Sequence, residues 1–136
     1  MRRLSFYFSI ILHSGLVACS GLVGGDPIVI EYCTEIGNSK SVCSCAAKKL
    51  KENTEENVYS NYIEILNNTK NLSEEHNLEQ EAENVDDLSG AIRIFVKGTT
   101  LIFSGGEEAG LNWIETLGTL STIEPILENA IVACGM

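Results

Sequence analysis

The chain has 136 residues, in which 19 acidic side chains outnumber nine Lys and Arg, for a formal net charge of −10. A surface this acidic repels phosphate groups, which argues against nucleic-acid binding and against charge-driven adsorption of the whole domain to anionic membranes. The length suits one small domain rather than two.

The first 18 residues have the organisation of a secretory signal peptide. Arg2 and Arg3 precede a largely apolar run over residues 4–12, and small residues follow. The run is too short for a transmembrane helix, which needs ~20 apolar residues, so we predict export and cleavage. Removal of residues 1–18 leaves 118 residues with seven basic and 19 acidic side chains, a net charge of −12.

Leu16-Val17-Ala18-Cys19 resembles the lipobox of bacterial lipoprotein precursors. The resemblance implies that the Cys19 thiol receives a diacylglycerol and that, after cleavage before Cys19, its new amino group is acylated. It also implies a location in the bacterial envelope. Ser20, rather than the aspartate associated with inner-membrane retention, indicates the outer membrane with the domain facing the periplasm. Several acyl chains on one cysteine give lasting anchorage, whereas one chain is marginal.

Residues 19–26 are predicted to form the lipidated cysteine and a flexible tether, and residues 27–136 a helical domain. Asp26 and Pro27 are typical of a helix start and Gly37 of a helix end, although the β-branched run 28–30 leaves a strand open. A second helix is predicted from residue 39 or 41 to residue 53. A third starts at Thr54, and its buried face includes Tyr59 and Tyr62.

Residues 67–84 are polar and acidic, and we expect this segment to be exposed, with at most a short helix after Ser73. Residues 86–103 fit two patterns. Alternation at Ile92, Ile94 and Val96 favours a hairpin, but a longer match to helical spacing and a start at Asp86-Asp87 favour a helix. The residues that follow helical spacing over four turns are Leu88, Ala91, Ile92, Phe95, Val96, Thr99, Ile102 and Phe103.

A break at Ser104-Gly105-Gly106 is predicted to separate this helix from another over residues 107–118, which carries Leu111, Ile114 and Leu117, with Trp113 on its flank. Like Tyr59 and Tyr62, Trp113 is expected to be in the core rather than on a binding surface. The last helix is predicted to start at Ser121, with Glu124 completing a capping box, and to end at Gly135. The sequence therefore predicts an all-α fold, a compact bundle of about five or six short helices stapled by two disulfides.

Cys33, Cys43, Cys45 and Cys134 remain once Cys19 is assigned to lipid, and an even number in an exported small domain predicts two disulfides. Cys33 and Cys43 lie at equal depth on consecutive helices, which favours Cys33–Cys43 with Cys45–Cys134. The exchanged pairing, Cys33 with Cys45 and Cys43 with Cys134, stays open. Cys43 with Cys45 is disfavoured, because two residues on a helix point about 200° apart.

No catalytic, metal or cofactor site is predicted. His76, the one histidine left after cleavage, lies among acids and is expected to be solvated. Glu107-Glu108 is interpreted as a solvated helix start rather than an acid-base pair. Cys43-Ser44-Cys45 lacks the spacing of thioredoxin-type enzymes.

We therefore expect a non-enzymatic protein in one of two classes. The first is a protein-binding module of the immunity or inhibitor type that acts on a basic partner, whose association the acidic charge accelerates. The alternative is a structural accessory of an envelope or secretion assembly. The residues that bind a partner are not predicted; if the acidic segment faces a basic partner, Glu74, Glu75, Glu79, Glu81 and Glu83 steer its association, and the alternative is that these acids serve only solubility.

Overall fold

The computed structural model describes residues 25–136, and in this range the chain forms six helices and no strand. The predicted all-α class is confirmed, as is the helix over residues 88–103. The helices are α1 Pro27–Glu35, α2 Lys40–Glu52, α3 Glu56–Glu75, α4 Leu78–Glu83, α5 Leu88–Glu108 and α6 Trp113–Gly135. The signal peptide predicted for residues 1–18 and the acylation predicted at Cys19 lie outside the described residues.

Three predicted helix starts are confirmed by side-chain caps. The Asp26 carboxylate accepts from the Ile28 N–H at 3.3 Å, and the Ser39 hydroxyl accepts from the Val42 N–H at 3.4 Å. Asp87 accepts from the backbone N–H of Gly90 at 2.7 Å. Each cap satisfies one of the amide donors that lack a partner in the first turn of a helix.

The helices form three layers. The middle layer is α3 and α6; α1 and α2 cover one side of it, with α2 packed along α6, and α4 and α5 cover the other, with α5 packed along α3. The core lies where the first two layers meet. Its largest fully buried side chains include Tyr62, Leu50, Ile65, Ile123, Leu127 and Val29.

Two disulfides join α2 to its neighbours, one within the first layer and one to the middle layer. Their connectivity is the one that the helix geometry favours. Cys33–Cys43 joins α1 to α2 with a Cα–Cα distance of 5.6 Å, and both cysteines are fully buried. Cys45–Cys134 joins α2 to the end of α6 with a Cα–Cα distance of 6.0 Å, across 89 positions of sequence. Both distances fall within the usual disulfide range. The exchanged pairing is therefore wrong.

The polar segment 67–84 is more ordered than its composition suggests. α3 continues through it to Glu75, and α4 follows after Asn77, which has a positive φ of 52°. The extension is stabilised by α5, because the Asn68 side-chain amide donates to the Gly105 carbonyl at 3.0 Å. α3 starts later than predicted, at Glu56, with Glu55 at the N-cap position. Thr54 does not cap it, because its hydroxyl donates to the Leu50 carbonyl of α2.

The predicted break at Ser104-Gly105-Gly106 is wrong, because α5 runs through it to Glu108. Gly105 and Gly106 are buried, and a Cβ at Gly105 would lie 2.5 Å from the Thr69 hydroxyl. These glycines therefore serve close helix packing rather than a turn. The turn lies later, at Gly110, whose φ of +81° favours glycine.

Residues 107 and 108 of the helix predicted over 107–118 belong to α5, and its residues from Trp113 onward form one helix, α6, with the helix predicted from Ser121. Its capping box is formed by Asn112 and Glu115, at 2.9 and 2.8 Å, rather than by Ser121 and Glu124. The Ser121 hydroxyl donates to the Gly118 carbonyl and so caps no helix. Pro125 consequently lies inside a 23-residue helix, where it removes one backbone hydrogen bond.

Candidate protein-interaction surface

Four large apolar side chains of α5 are exposed on consecutive turns. Leu88, Ile92, Phe95 and Val96 are 77%, 56%, 75% and 57% exposed, and we call this set the α5 face. Helical spacing identifies these residues as part of one apolar stripe, and the fold leaves this part of the stripe exposed. Single exposed apolar residues are ordinary, but a contiguous row of them marks an interaction surface in many proteins.

The α5 face is exposed because α5 packs through its opposite side. Leu101 and Gly105 are buried against α3, and a Cβ at Gly105 would lie 3.1 Å from the Ile65 carbonyl. The Lys97 ammonium reaches the His76 carbonyl, just past the end of α3, at 3.3 Å. α5 thus runs antiparallel to α3, and its turns before Lys97 extend beyond it, where the short α4 lies beside α5.

Acidic residues line the same end of the molecule. Five glutamates on the last turn of α3 and on α4 are exposed, and we call them the acidic border: Glu74, Glu75, Glu79, Glu81 and Glu83. Glu81 forms an ion pair with Lys97 of α5 at 2.8 Å, and this hydrogen bond lowers the pKa of Glu81. The acidic border therefore lies next to the α5 face.

A second exposed apolar group lies at the start of α6. Trp113, Ile114 and Leu117 are 63%, 60% and 50% exposed. The prediction that Trp113 is in the core is wrong, and Ile114 and Leu117, which the helical pattern placed beside it, are exposed as well. They point outward because Thr116, which is fully buried, takes the packed side of this turn against Gly106.

A half-buried polar cluster joins α3 to α6. The Tyr62 hydroxyl donates to the Glu124 carboxylate at 3.1 Å, and burial raises the pKa of both groups. Burial also raises the pKa of Tyr32 of α1, and the nearby negative charge of Glu124 raises it further. Tyr32 and Glu124 line a wide, open groove above the fully buried Tyr62, and Lys70 and Glu31 of the same groove form an ion pair at 2.6 Å.

The other residues considered from the sequence do not assemble into a site. Glu107 and Glu108 are exposed at the C-terminal end of α5, not at a helix start, so the interpretation as a dipole-stabilised start is wrong. His76 is exposed and follows the last residue of α3. Within residues 25–136, no group of three or more His, Cys, Asp or Glu side chains is placed to hold a metal ion.

None of the described helices combines the length and the apolar character required to cross a membrane. No protein-family model matches the chain, and neither the search of curated proteins nor that of solved structures found a similar protein.

Proposed function

We propose that the chain is an exported, lipid-tethered binding module of the bacterial envelope, which binds a basic partner protein through the α5 face and the acidic border. The observation that carries the proposal is the α5 face itself, where Phe95 and Leu88 are about three-quarters exposed. Leaving such side chains in water forgoes about 1.5 to 3 kcal/mol each relative to burial. A partner that covers them recovers part of this free energy.

The neighbouring acidic border supports a basic partner. Its glutamates lie on α4 and the last turn of α3, and the described domain as a whole carries seven basic against 19 acidic side chains. Charge of this kind accelerates encounter, while apolar contacts prolong the complex once it forms. The arrangement suits an immunity or inhibitor type of protein that neutralises a basic toxin or hydrolase without catalysis of its own.

The lipid tether rests on the lipobox resemblance at Cys19. Metabolic labelling with a fatty-acid analogue should mark the natural protein, whereas Cys19→Ala should remain unlabelled and uncleaved. Equal labelling of both proteins would exclude acylation at this position and with it the tether.

Binding is tested with envelope extracts, from which the acylated protein captures its partner, followed by kinetics with the two purified proteins. Ile92→Ser and Phe95→Ser should each speed dissociation at least tenfold, because the apolar contact is lost. The triple variant Glu79→Gln/Glu81→Gln/Glu83→Gln should slow association several-fold and change dissociation little. Val132→Ser, at an apolar residue of α6 that is 62% exposed, is the matched control and should bind normally.

The same experiment separates the alternatives. A partner whose association ignores both salt and the acidic substitutions, yet is lost with Phe95→Ser, indicates the apolar contact of a structural accessory in an envelope assembly. Dimerisation in analytical ultracentrifugation that Phe95→Ser abolishes would assign the α5 face to a second copy of the chain. A partner that binds both serine variants normally would refute the assignment of the α5 face as the binding surface.

A further inference from the structure

Most of the basic residues of this acidic domain lie on one helix. Of the seven Lys and Arg in residues 25–136, four are exposed on α2, and we call them the lysine face: Lys40, Lys48, Lys49 and Lys51. Of the three outside it, Lys70 and Lys97 are each bound to a carboxylate, at 2.6 and 2.8 Å, and Arg93 is exposed alone on α5. On the lysine face, the one described carboxylate within 4.0 Å is that of Glu52, beside Lys48. The lysine face therefore carries excess positive charge.

The chain enters the domain beside this face. Gly25, the first described residue, is buried against α2. A Cβ added at Gly25 would lie 2.7 Å from the Ala47 Cβ and 3.2 Å from the backbone nitrogen of Lys48. Cys19 is six residues earlier, and six residues reach at most about 22 Å. Any acyl chains on Cys19 thus keep α2 close to the membrane surface.

The adjoining end of α6 is suited to the same surface. The Cys45–Cys134 disulfide fixes this end to α2, and Glu128 is the last charged side chain of the helix. Beyond Glu128, Val132 is 62% exposed. Cationic side chains next to exposed apolar ones favour the headgroup region of an anionic bilayer.

We propose that the lysine face contacts anionic phospholipid headgroups of the membrane that holds Cys19, and that this contact orients the domain. The inference rests on the lipid tether of the proposed function. The anionic membrane attracts the lysine face and repels the acidic rest of the domain, and both effects turn α2 toward the membrane. Because α3 and α6 separate α2 from α5, this orientation turns the α5 face away from the membrane and toward a partner.

The test uses the acylated protein in vesicles of phosphatidylglycerol and brominated phosphatidylcholine, whose bromine quenches nearby tryptophan. The one native tryptophan, Trp113, starts α6, about 30 Å along the helix from the end bonded to α2. A second protein, Trp113→Phe/Ser44→Trp, carries its tryptophan among the lysines. Circular dichroism and mass spectrometry first establish that both proteins are folded, disulfide-bonded and acylated.

The tryptophan at position 44 should be quenched several-fold more strongly than Trp113, and replacing phosphatidylglycerol with neutral lipid should reduce the difference to what the acyl tether alone gives. Adding Lys40→Gln/Lys48→Gln/Lys51→Gln should reduce it equally. The matched control Lys70→Gln/Arg93→Gln/Lys97→Gln, which changes the net charge equally on other helices, should preserve it.

Equal quenching of the two tryptophans, or quenching that the α2 triple variant does not alter, would overturn the lysine-face contact. Binding of that face to an acidic protein instead of lipid would give the same negative result. Absence of the acyl mass in the purified protein would instead refute the tether, and that result is read from the mass spectrum before any quenching is measured.

Discussion

Glu124 shows how a single side chain is constrained by its place in the fold. Its position in the sequence suggested a helix cap, but in the structure it lies in mid-helix and accepts a hydrogen bond from Tyr62, at 3.1 Å. Burial raises its pKa above the ordinary value of 4.5, in spite of the opposing effect of that hydrogen bond. The folded protein therefore holds this proton more tightly than the unfolded chain.

This difference in pKa predicts a pH dependence of stability. Above its folded-state pKa, the Glu124 carboxylate reduces the free energy of unfolding, and the reduction disappears as the pH falls toward 4.5. In urea titrations from pH 7 to pH 4, the natural protein should therefore gain stability relative to Glu124→Gln. Glu108→Gln, which removes an exposed carboxylate of α5, is the charge-matched control. Parallel stability curves for the natural protein and Glu124→Gln would contradict the burial effect.

At the scale of the helices, the sequence predicted existence and type well and boundaries less well. Local signals gave the starts at Asp26, Ser39 and Asp87, because a cap depends on residues within one turn. Gly105 and Gly106 were misread as a break, since close packing against Thr69 and Thr116 is a tertiary contact that local pattern does not contain.

The same limit explains why the interaction surface was missed. Helical spacing correctly identified an apolar stripe on α5, but a stripe alone does not say whether another helix covers it. α3 ends at Glu75 and therefore does not reach far enough to cover Ile92 and Phe95. Its end lies within the polar segment 67–84, for which the sequence predicted at most a short helix after Ser73. The lysines of α2 were visible in the sequence, but their position beside Gly25 follows only from the fold.

Two glycines of α5 provide a matched test of its packing. A Cβ at Gly106 would collide with the buried Thr116, so Gly106→Ala should destabilise the domain by about 1 to 3 kcal/mol despite the better helix propensity of alanine. A Cβ at Gly98 would lie 3.8 Å from its nearest neighbour, in Leu78, so Gly98→Ala should stabilise by up to about 1 kcal/mol. Chemical denaturation measures both. Equal effects of the two substitutions would contradict the helix contact at Gly106.

At the scale of the whole molecule, the two disulfides close loops of very different length. Cys33–Cys43 closes a short loop between neighbouring helices, whereas Cys45–Cys134 closes nearly the whole domain, with sequence separations of 10 and 89. Cys45–Cys134 also fixes the end of α6 to α2, beside the entry of the chain at Gly25. This bond therefore links the side of the domain nearest the proposed tether to the middle layer.

Loop length predicts the relative cost of removing each bond. In the chain-entropy model the long loop contributes about 4 to 5 kcal/mol and the short loop about 3 kcal/mol. Cys45→Ala/Cys134→Ala should therefore lower the free energy of unfolding by more than Cys33→Ala/Cys43→Ala. Urea titration of the two double variants, with the remaining disulfide verified by mass spectrometry, gives the comparison. A larger loss for the short loop would show that contacts of the buried Cys33 and Cys43 outweigh chain entropy.

The three layers place the lysine face and the chain entry on one side of the domain and the α5 face on the other. The central claim is that the α5 face binds a protein. The most direct measurement is site-specific photocross-linking in intact cells, with p-benzoylphenylalanine at Phe95 and, as control, at Asn129, an exposed position on α6. We predict one adduct with a basic protein at position 95, which Ile92→Asp abolishes, and none at position 129. No adduct at position 95, or the same adduct at both positions, would contradict the claim.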